Sequence, residues 1–274
     1  MAARGLVMLS LEILLTAVVT AAACALPGVF LVLRRMSMMS DAVSHAVLPG
    51  IVIAYFMLQD LNDPRLIVAA AVTGLATVAL VELLQRSKLV KEDAAIGVVF
   101  PVFFSVGVLL IAQYADDVHL DIDAVLLGEL AFVPFDRLMW GALDLGPKAL
   151  WMMGGILLVN LLFLLVFYKE LKLATFDGAL AASLGFAPVV LHYGLMALLS
   201  ITAVGAFEAV GSILMVALVV GPATTARLLT DRLDRTIYLA VGLGMLGALL
   251  GYGLARALDS SIAGAMATMQ GVQL

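Results

Sequence analysis

The chain has 274 residues, 64% of them apolar and 13% charged, with a net charge of −5 and a mean hydropathy of +1.15. Soluble domains carry about 25% charged residues, so this composition excludes an ordinary cytosolic enzyme, a disordered chain and a secreted disulfide scaffold. At about 20 residues per membrane span, the chain has room for eight or so helices with short loops, and none for a second soluble domain of useful size.

Apolar segments run at about 8–33, 43–59, 66–85, 94–113, 148–168, 188–206, 208–226 and 236–256. The first follows Arg4 and contains Ala21, Ala22 and Ala23, which imitates a signal peptide. It continues to Leu33 before Arg34 and Arg35 close it, too long for a cleaved signal, so an uncut span is expected. Its cysteine, Cys24, is the only one in the chain and reads as a small core or lipid-facing residue. Polar or turn-forming breaks fall at 34–41, 60–65, 86–93, 114–147, 169–187 and 227–235. The sixth and seventh segments nearly touch, with Ala206-Phe207-Glu208 as the candidate turn.

The longest break, 114–147, is acidic. Asp116, Asp117, Asp121, Asp123, Glu129, Asp136 and Asp144 stand against Arg137 alone before Lys148. Its apolar middle, 124–135, is too short to span and predicts a short helix at the interface or dipping between helices. Such an excess of acids raises the local concentration of cations, and a plain solvated loop is the alternative. Orientation follows from Lys and Arg. With the N-terminus outside, ten of the 15 basic residues fall in cytoplasmic loops and five on the outer side, and with eight spans both termini lie outside.

No P-loop and no His-Glu-x-x-His motif occurs, so energy for any transport has to come from elsewhere. Ionisable residues in apolar spans are costly and mark function. Asp41 and His45 are four apart at the start of the second span, which puts both on one helix face. A carboxylate and an imidazole so placed can chelate Mn²⁺, Fe²⁺ or Zn²⁺. The alternative is an Asp that caps the helix start with the His hydrogen-bonded to it. Two ligands do not complete a site, so another segment or a second copy across a two-fold axis has to add more. Pro49 and Gly50, one turn later, can loosen or kink this helix, and Gly221 and Pro222 form a similar candidate hinge in the seventh span.

The block 33–50, Leu-Arg-Arg-Met-Ser-Met-Met-Ser-Asp-Ala-Val-Ser-His-Ala-Val-Leu-Pro-Gly, resembles the signature of the ATP-binding-cassette manganese/zinc/iron permease family. Weaker similarities run through Glu92 to Gly97, Leu126-Leu127-Gly128, Phe176 to Gly185 and Val210 to Arg227, so the resemblance covers about 28–256. It implies an all-α polytopic permease of about eight helices, dimeric with a second copy or a paralogue. It also implies two cytoplasmic ATPase subunits, an external metal-binding protein, and Asp41 and His45 as metal-site residues. The transported divalent metal is cargo, and no permanently bound cofactor is expected. Met36, Met38 and Met39 depart from the family pattern; thioethers favour Cu(I), and flexible apolar filling is the plainer reading.

In Val118 to Asp123, alternation puts His119, Asp121 and Asp123 on one face of an extended stretch, a candidate external cation relay or docking contact for the binding protein, with a solvated loop as the plainer reading. His192, at the start of the sixth span, reads as interfacial, and Glu12 and Glu208 as residues that snorkel from span ends. Within 169–187, Thr175 or Asp177 can cap a short helix that Gly185 ends. The residues alone fit a surface helix with no partner; the family resemblance implies instead a knob that seats in the ATPase groove, with Asp177, Ala181 and Gly185 as the candidate coupling residues.

The sequence therefore reads as a single membrane domain over 1–274 in the cell membrane, surrounded by lipid and without nucleic acid as a partner. It is expected to be the non-enzymatic permease of an ATP-driven importer for divalent transition metals. An ion-coupled secondary transporter would place several carboxylates mid-membrane. An intramembrane metalloenzyme would need a full ligand set and a general base, which three histidines scattered over the chain do not supply.

Overall fold

The computed structural model describes residues 2–59, 63, 65–114, 130–140 and 143–274. In chain order the described elements are α1 (Ala2–Leu33), α2 (Met38–Ala46), α3 (Leu48–Leu58), α4 (Arg65–Arg86), α5 (Glu92–Tyr114), a 3₁₀ turn (Val133–Phe135), β1 (Arg137–Trp140) and β2 (Leu143–Pro147). They continue with α6 (Lys148–Val166), α7 (Tyr168–Phe176), α8 (Gly178–Ser183), α9 (Pro188–Val210), α10 (Ser212–Leu229), α11 (Leu233–Leu258) and α12 (Ile262–Val272). Eight spans among these residues are long and apolar enough to cross a membrane, with α2 and α3 together forming one of them. Helices satisfy their backbone groups internally, as a hydrocarbon medium requires.

α1 is the central post and packs against α6, α9, α10 and α11. Ala21, Ala22, Ala23, Cys24 and Ala25 are buried along it, small enough to let neighbouring backbones come close. Pro27 lies inside this helix. It has no N–H for the carbonyl of Ala23, four residues earlier. The Asn160 amide of α6 takes that place: its Nδ2 donates to the Ala23 oxygen at 3.0 Å and to Thr202 Oγ1 of α9 at 2.8 Å. One buried amide thus repairs the proline defect and joins three helices. By contrast α5 and α6 turn rows of Val, Leu and Phe outward, as a lipid-facing helix must.

The break between the sixth and seventh spans falls at Gly211, with φ +83° and ψ 167°, not at 206–208. A side chain is disfavoured at that backbone conformation, whereas Ala206, Phe207 and Glu208 continue the helix without strain. The structure also contains α12, which the sequence reading did not anticipate. It folds back on α10 and α11. Gly247 and Gly251 of α11 make this approach possible, since a Cβ on either would collide with Gln270 or Met266. Inside the groove Gln270 Nε2 donates to the Gly244 oxygen at 3.1 Å.

In the acidic break, residues 130–140 and 143–147 form a 3₁₀ turn and two antiparallel strands, and 124–129, half of the stretch expected to hold a short helix, lie outside the described residues. Arg137 on β1 reaches Glu12 Oε1 of α1 at 3.1 Å and Asp144 Oδ2 of β2 at 2.6 Å. Glu12 is therefore held in an ion pair by a segment 125 residues away, which its position in the first span could not reveal. The Arg137 guanidinium and the Gly146 N–H hold the Asp144 carboxyl below the usual carboxylate range. Glu208 is exposed, as a snorkelling residue would be.

Asn160→Leu leaves the Ala23 carbonyl without its donor and should lower stability by about 1–3 kcal/mol. Pro27→Ala restores the missing N–H, so in that background the same Asn160 substitution should cost less than about 1 kcal/mol. Unfolding of the four variants of this cycle in detergent measures the coupling, and strictly additive effects would remove the repair role.

Candidate metal pathway

α1 ends at Leu33, and the chain turns within four residues into α2. Arg35 adopts φ +61° while the Met36 N–H bonds the Leu31 carbonyl at 2.9 Å, closing the end of α1. Ser37 is the N-cap of α2 and makes no side-chain capping bond. Asp41 is thus the fourth helical residue and not the cap, and its carboxylate is free to face along the helix. His45 Nε2 lies 3.6 Å from Asp41 Oδ1. Two ligands about 2.1 Å from a tetrahedral ion stand about 3.4 Å apart, so the pair already has close to the bite of a chelate. The Asp41 side chain is 46% exposed and that of His45 21%. Among the described residues no third His, Cys, Asp or Glu joins them to make a closed site.

The helix carrying the pair bends directly after it. Pro49 has no N–H to offer the His45 carbonyl, and the α2 ladder stops at Ala46. Val47 keeps helical dihedrals, φ −75° and ψ −16°, so α2 and α3 form one kinked span. Gly50 sits tight against Thr73 and Ala69 of α4, which fixes the lean of α3. In the other candidate hinge, α10 runs unbroken through Gly221 and Pro222. Of the methionines, Met39 is buried in the core and Met36 packs against it, while Met38 is exposed. Spacings of three and seven put Met38 on the face of Asp41 and His45. His119, Asp121 and Asp123 lie outside the described residues.

Three rings surround the His45 imidazole, and the sequence reading singled out none of them. The centroid of Phe100 is 5.6 Å away, that of Phe104 6.1 Å, both from α5, and that of Phe207 6.4 Å, from α9. The Phe104 and Phe207 rings stand edge-on to the imidazole, at 88° and 89°. The run Val99-Phe100-Pro101-Val102-Phe103-Phe104 was a visible aromatic cluster, but in a span this apolar it looks the same as a lipid-facing stripe.

A second polar cluster lies where α1 and α4 end and α9 begins. Arg34 Nη1 is 3.2 Å from His192 Nδ1, and Arg34 Nε and Nη2 donate to Thr175 Oγ1 at 3.2 Å. A guanidinium only donates, so Nδ1 of His192 is the acceptor and Nε2 carries the proton. Nε2 lies 2.5 Å from Glu82 Oε1, and the Tyr193 hydroxyl donates to Glu82 Oε2 at 2.8 Å. Arg34, Glu82, His192 and Tyr193, together with Arg86, Ala174, Pro188 and Val189, line a cavity of about 330 Å³. His192 is thus a bridge between helix ends rather than a simple interfacial residue. Glu82 and Arg34 are distant from it in sequence, so only the packing brings them together.

Next to this cluster, α7 and α8 form a helical elbow. Asp177 Oδ1 accepts from the Leu180 N–H at 2.9 Å and caps α8. At the other end Gly185, at φ +85°, lets Phe186 N–H reach the Ala181 carbonyl and its own N–H the Ala182 carbonyl, both at 3.1 Å. Thr175, the other candidate cap, is engaged with Arg34 instead. Ala181 is buried and seats the helix, whereas Leu180 and Leu184 project outward.

The profile of the ABC 3 transport family matches residues 8–273. The chain belongs to that family. It is a multi-pass membrane permease subunit of an ATP-binding-cassette transport system. It is 51% identical over 264 residues to the zinc transport system membrane protein TroD of Treponema pallidum, covering 96% of this chain and 72% of that one. It is 46% identical to the manganese transport system membrane protein MntD of Bacillus subtilis, covering 95% and 88%. Among solved structures it resembles PsaBC from Streptococcus pneumoniae, in complex with Fab, with a TM-score of 0.79 and 28% identity over 96% of this chain and 88% of that chain.

Proposed function

We propose that this permease imports a divalent transition metal of the manganese, zinc and iron group, with Asp41 and His45 as ligands on its path. The 3.6 Å pair on one face of a kinked, otherwise apolar span carries this reading. It is supported by relatives named for zinc and manganese transport. Ligand preferences of the three metals overlap at one carboxylate and one imidazole. A cargo site has to bind transiently, and an incomplete set completed by a second permease copy or paralogue suits that need. The carboxylate also offsets the dehydration of a divalent ion in a low-dielectric path. Cells carrying Asp41→Ala, Asp41→Asn or His45→Ala should lose at least about ten-fold of their uptake of Mn²⁺, Zn²⁺ or Fe²⁺, because each removes a ligand or its charge. The complex should still assemble. Normal uptake by an assembled alanine variant would reduce the pair to a structural contact.

ATP is hydrolysed on separate cytoplasmic subunits in this reading, and an external binding protein delivers the metal. α8 is the segment that meets the ATPase, presenting Leu180 and Leu184 while Asp177 and Gly185 keep its ends in shape. Gly185→Pro removes an N–H donor and demands a negative φ where the chain has +85°. Asp177→Lys removes the cap acceptor. Either change should leave the protein inserted and release or uncouple the ATPase, read as co-purified ATPase and metal imported per ATP. Full coupling with both present would take α8 out of the mechanism.

In this reading Arg34, His192 and α8 face the cytoplasm, and the Glu12–Arg137 hairpin and both termini lie outside. The distribution of Lys and Arg supports it. His119, Asp121 and Asp123 remain a proposed relay on the outer side. Leu89 and Met139 are exposed at opposite ends of the bundle, and native Cys24 is buried. In intact cells a membrane-impermeant thiol reagent should label Met139→Cys and spare Leu89→Cys; the reverse pattern would invert the orientation.

A further inference from the structure

Among the described residues, α9 contributes side chains both to the polar cluster beside α8, through His192 and Tyr193, and to the aromatic wall around His45, through Phe207. At its first turns, His192 bonds Arg34 and faces Glu82, and only residues 184–187 separate Pro188 from α8. Phe207, near its far end, stands edge-on to the imidazole of His45. A helix of 23 residues is about 34 Å long and moves as a stiff rod over that length. Gly211 follows one turn after Phe207 and breaks the helix, so the Phe207 end can shift without dragging α10 through a continuous backbone.

The position of His45 Nε2 relative to Asp41 depends on the side-chain torsions of His45, since both residues ride on the same short helix. Phe100 and Phe104 wall the imidazole from α5, and Phe207 closes the third side. α9 packs on α2 itself, and it meets the imidazole of His45 through the Phe207 ring. We propose that Phe207 is a positioning residue for the cargo site: it sets the His45 imidazole and transmits movement of the ATPase-facing end of α9 to it. The proposal rests on the metal pathway above and adds the part that links it to ATP.

The test uses the complete transporter, with its ATPase and binding-protein subunits, in sealed vesicles, with Mn²⁺ as the probe. The readout is Mn²⁺ imported per ATP hydrolysed. Phe207→Ala should lower this ratio about ten-fold, less than the roughly 100-fold that misplacing a reacting group by a full ångström can cost. Phe207→Tyr, which keeps the ring, should restore most of it. Phe207→Leu, which keeps the bulk without a flat edge, should stay low, and it carries the test if the alanine variant fails to assemble. Tyr238→Ala removes an exposed ring from α11, away from α9 and the pathway, and should leave the ratio at the native value. A native ratio in Phe207→Leu, or an equal loss in Tyr238→Ala, overturns the proposal. His45→Ala in the same vesicles separates the two levels. If it imports normally, the metal pathway itself fails. If it does not, while Phe207→Ala keeps the native ratio, the pathway stands and only the role of Phe207 is lost.

Discussion

A backbone carbonyl in hydrocarbon needs a donor from within the protein, and the prolines of this chain decide where one is missing. Pro27 withholds a donor from Ala23 in the most buried helix, and Asn160 supplies it. The repair comes with a consequence for assembly, because the same amide also bonds Thr202 and so locks α6 and α9 to the central post. Pro49 withholds a donor from His45, and there the chain bends. The first defect is closed by packing and stiffens the core. The second lies beside the Asp–His pair and leaves that span kinked where, in the proposed reading, a cargo ion passes.

The two ends of the bundle are tied differently. At one end a hairpin is pinned to α1 by the Glu12–Arg137–Asp144 bridge. At the other, Arg34, His192, Glu82 and Thr175 join α1, α4, α7 and α9 through a neutral histidine held between a cation and a carboxylate. Exposed ion pairs contribute little to stability, so the value of these contacts lies in register: each fixes where a helix end sits relative to its neighbours. α9 belongs to the second cluster and also borders His45, so in the proposed reading it is the path for mechanical coupling between α8 and the pair.

The pair itself is sparse. One carboxylate and one imidazole hold an ion weakly compared with a closed four-ligand site, and a transporter has to release what it binds. The aromatic wall keeps water from one side of the imidazole while Asp41 stays open. In the proposed assembly the open side is where a second permease would bring its own ligands.

Composition and hydropathy alone determined the class of this protein and its eight spans, because apolar stretches of 18 or more residues have few other fates. Spacing alone put Asp41 and His45 on one face, since helical periodicity needs no tertiary information. The ends of α8 were legible as well, in Asp177 and Gly185, because capping is local chemistry. The rest depended on contacts between residues far apart. Nothing in the run around Phe207 distinguishes a ring beside His45 from one facing lipid. The pairing of Glu12 with Arg137 and of Glu82 with His192 spans more than a hundred residues, and α12 packs where it does because Gly247 and Gly251 leave a groove for it. Sequence fixes which residues can lie on a common face or end a helix, because those are properties of the local backbone. Which faces meet is decided by how whole helices pack, and that information is spread over the entire chain.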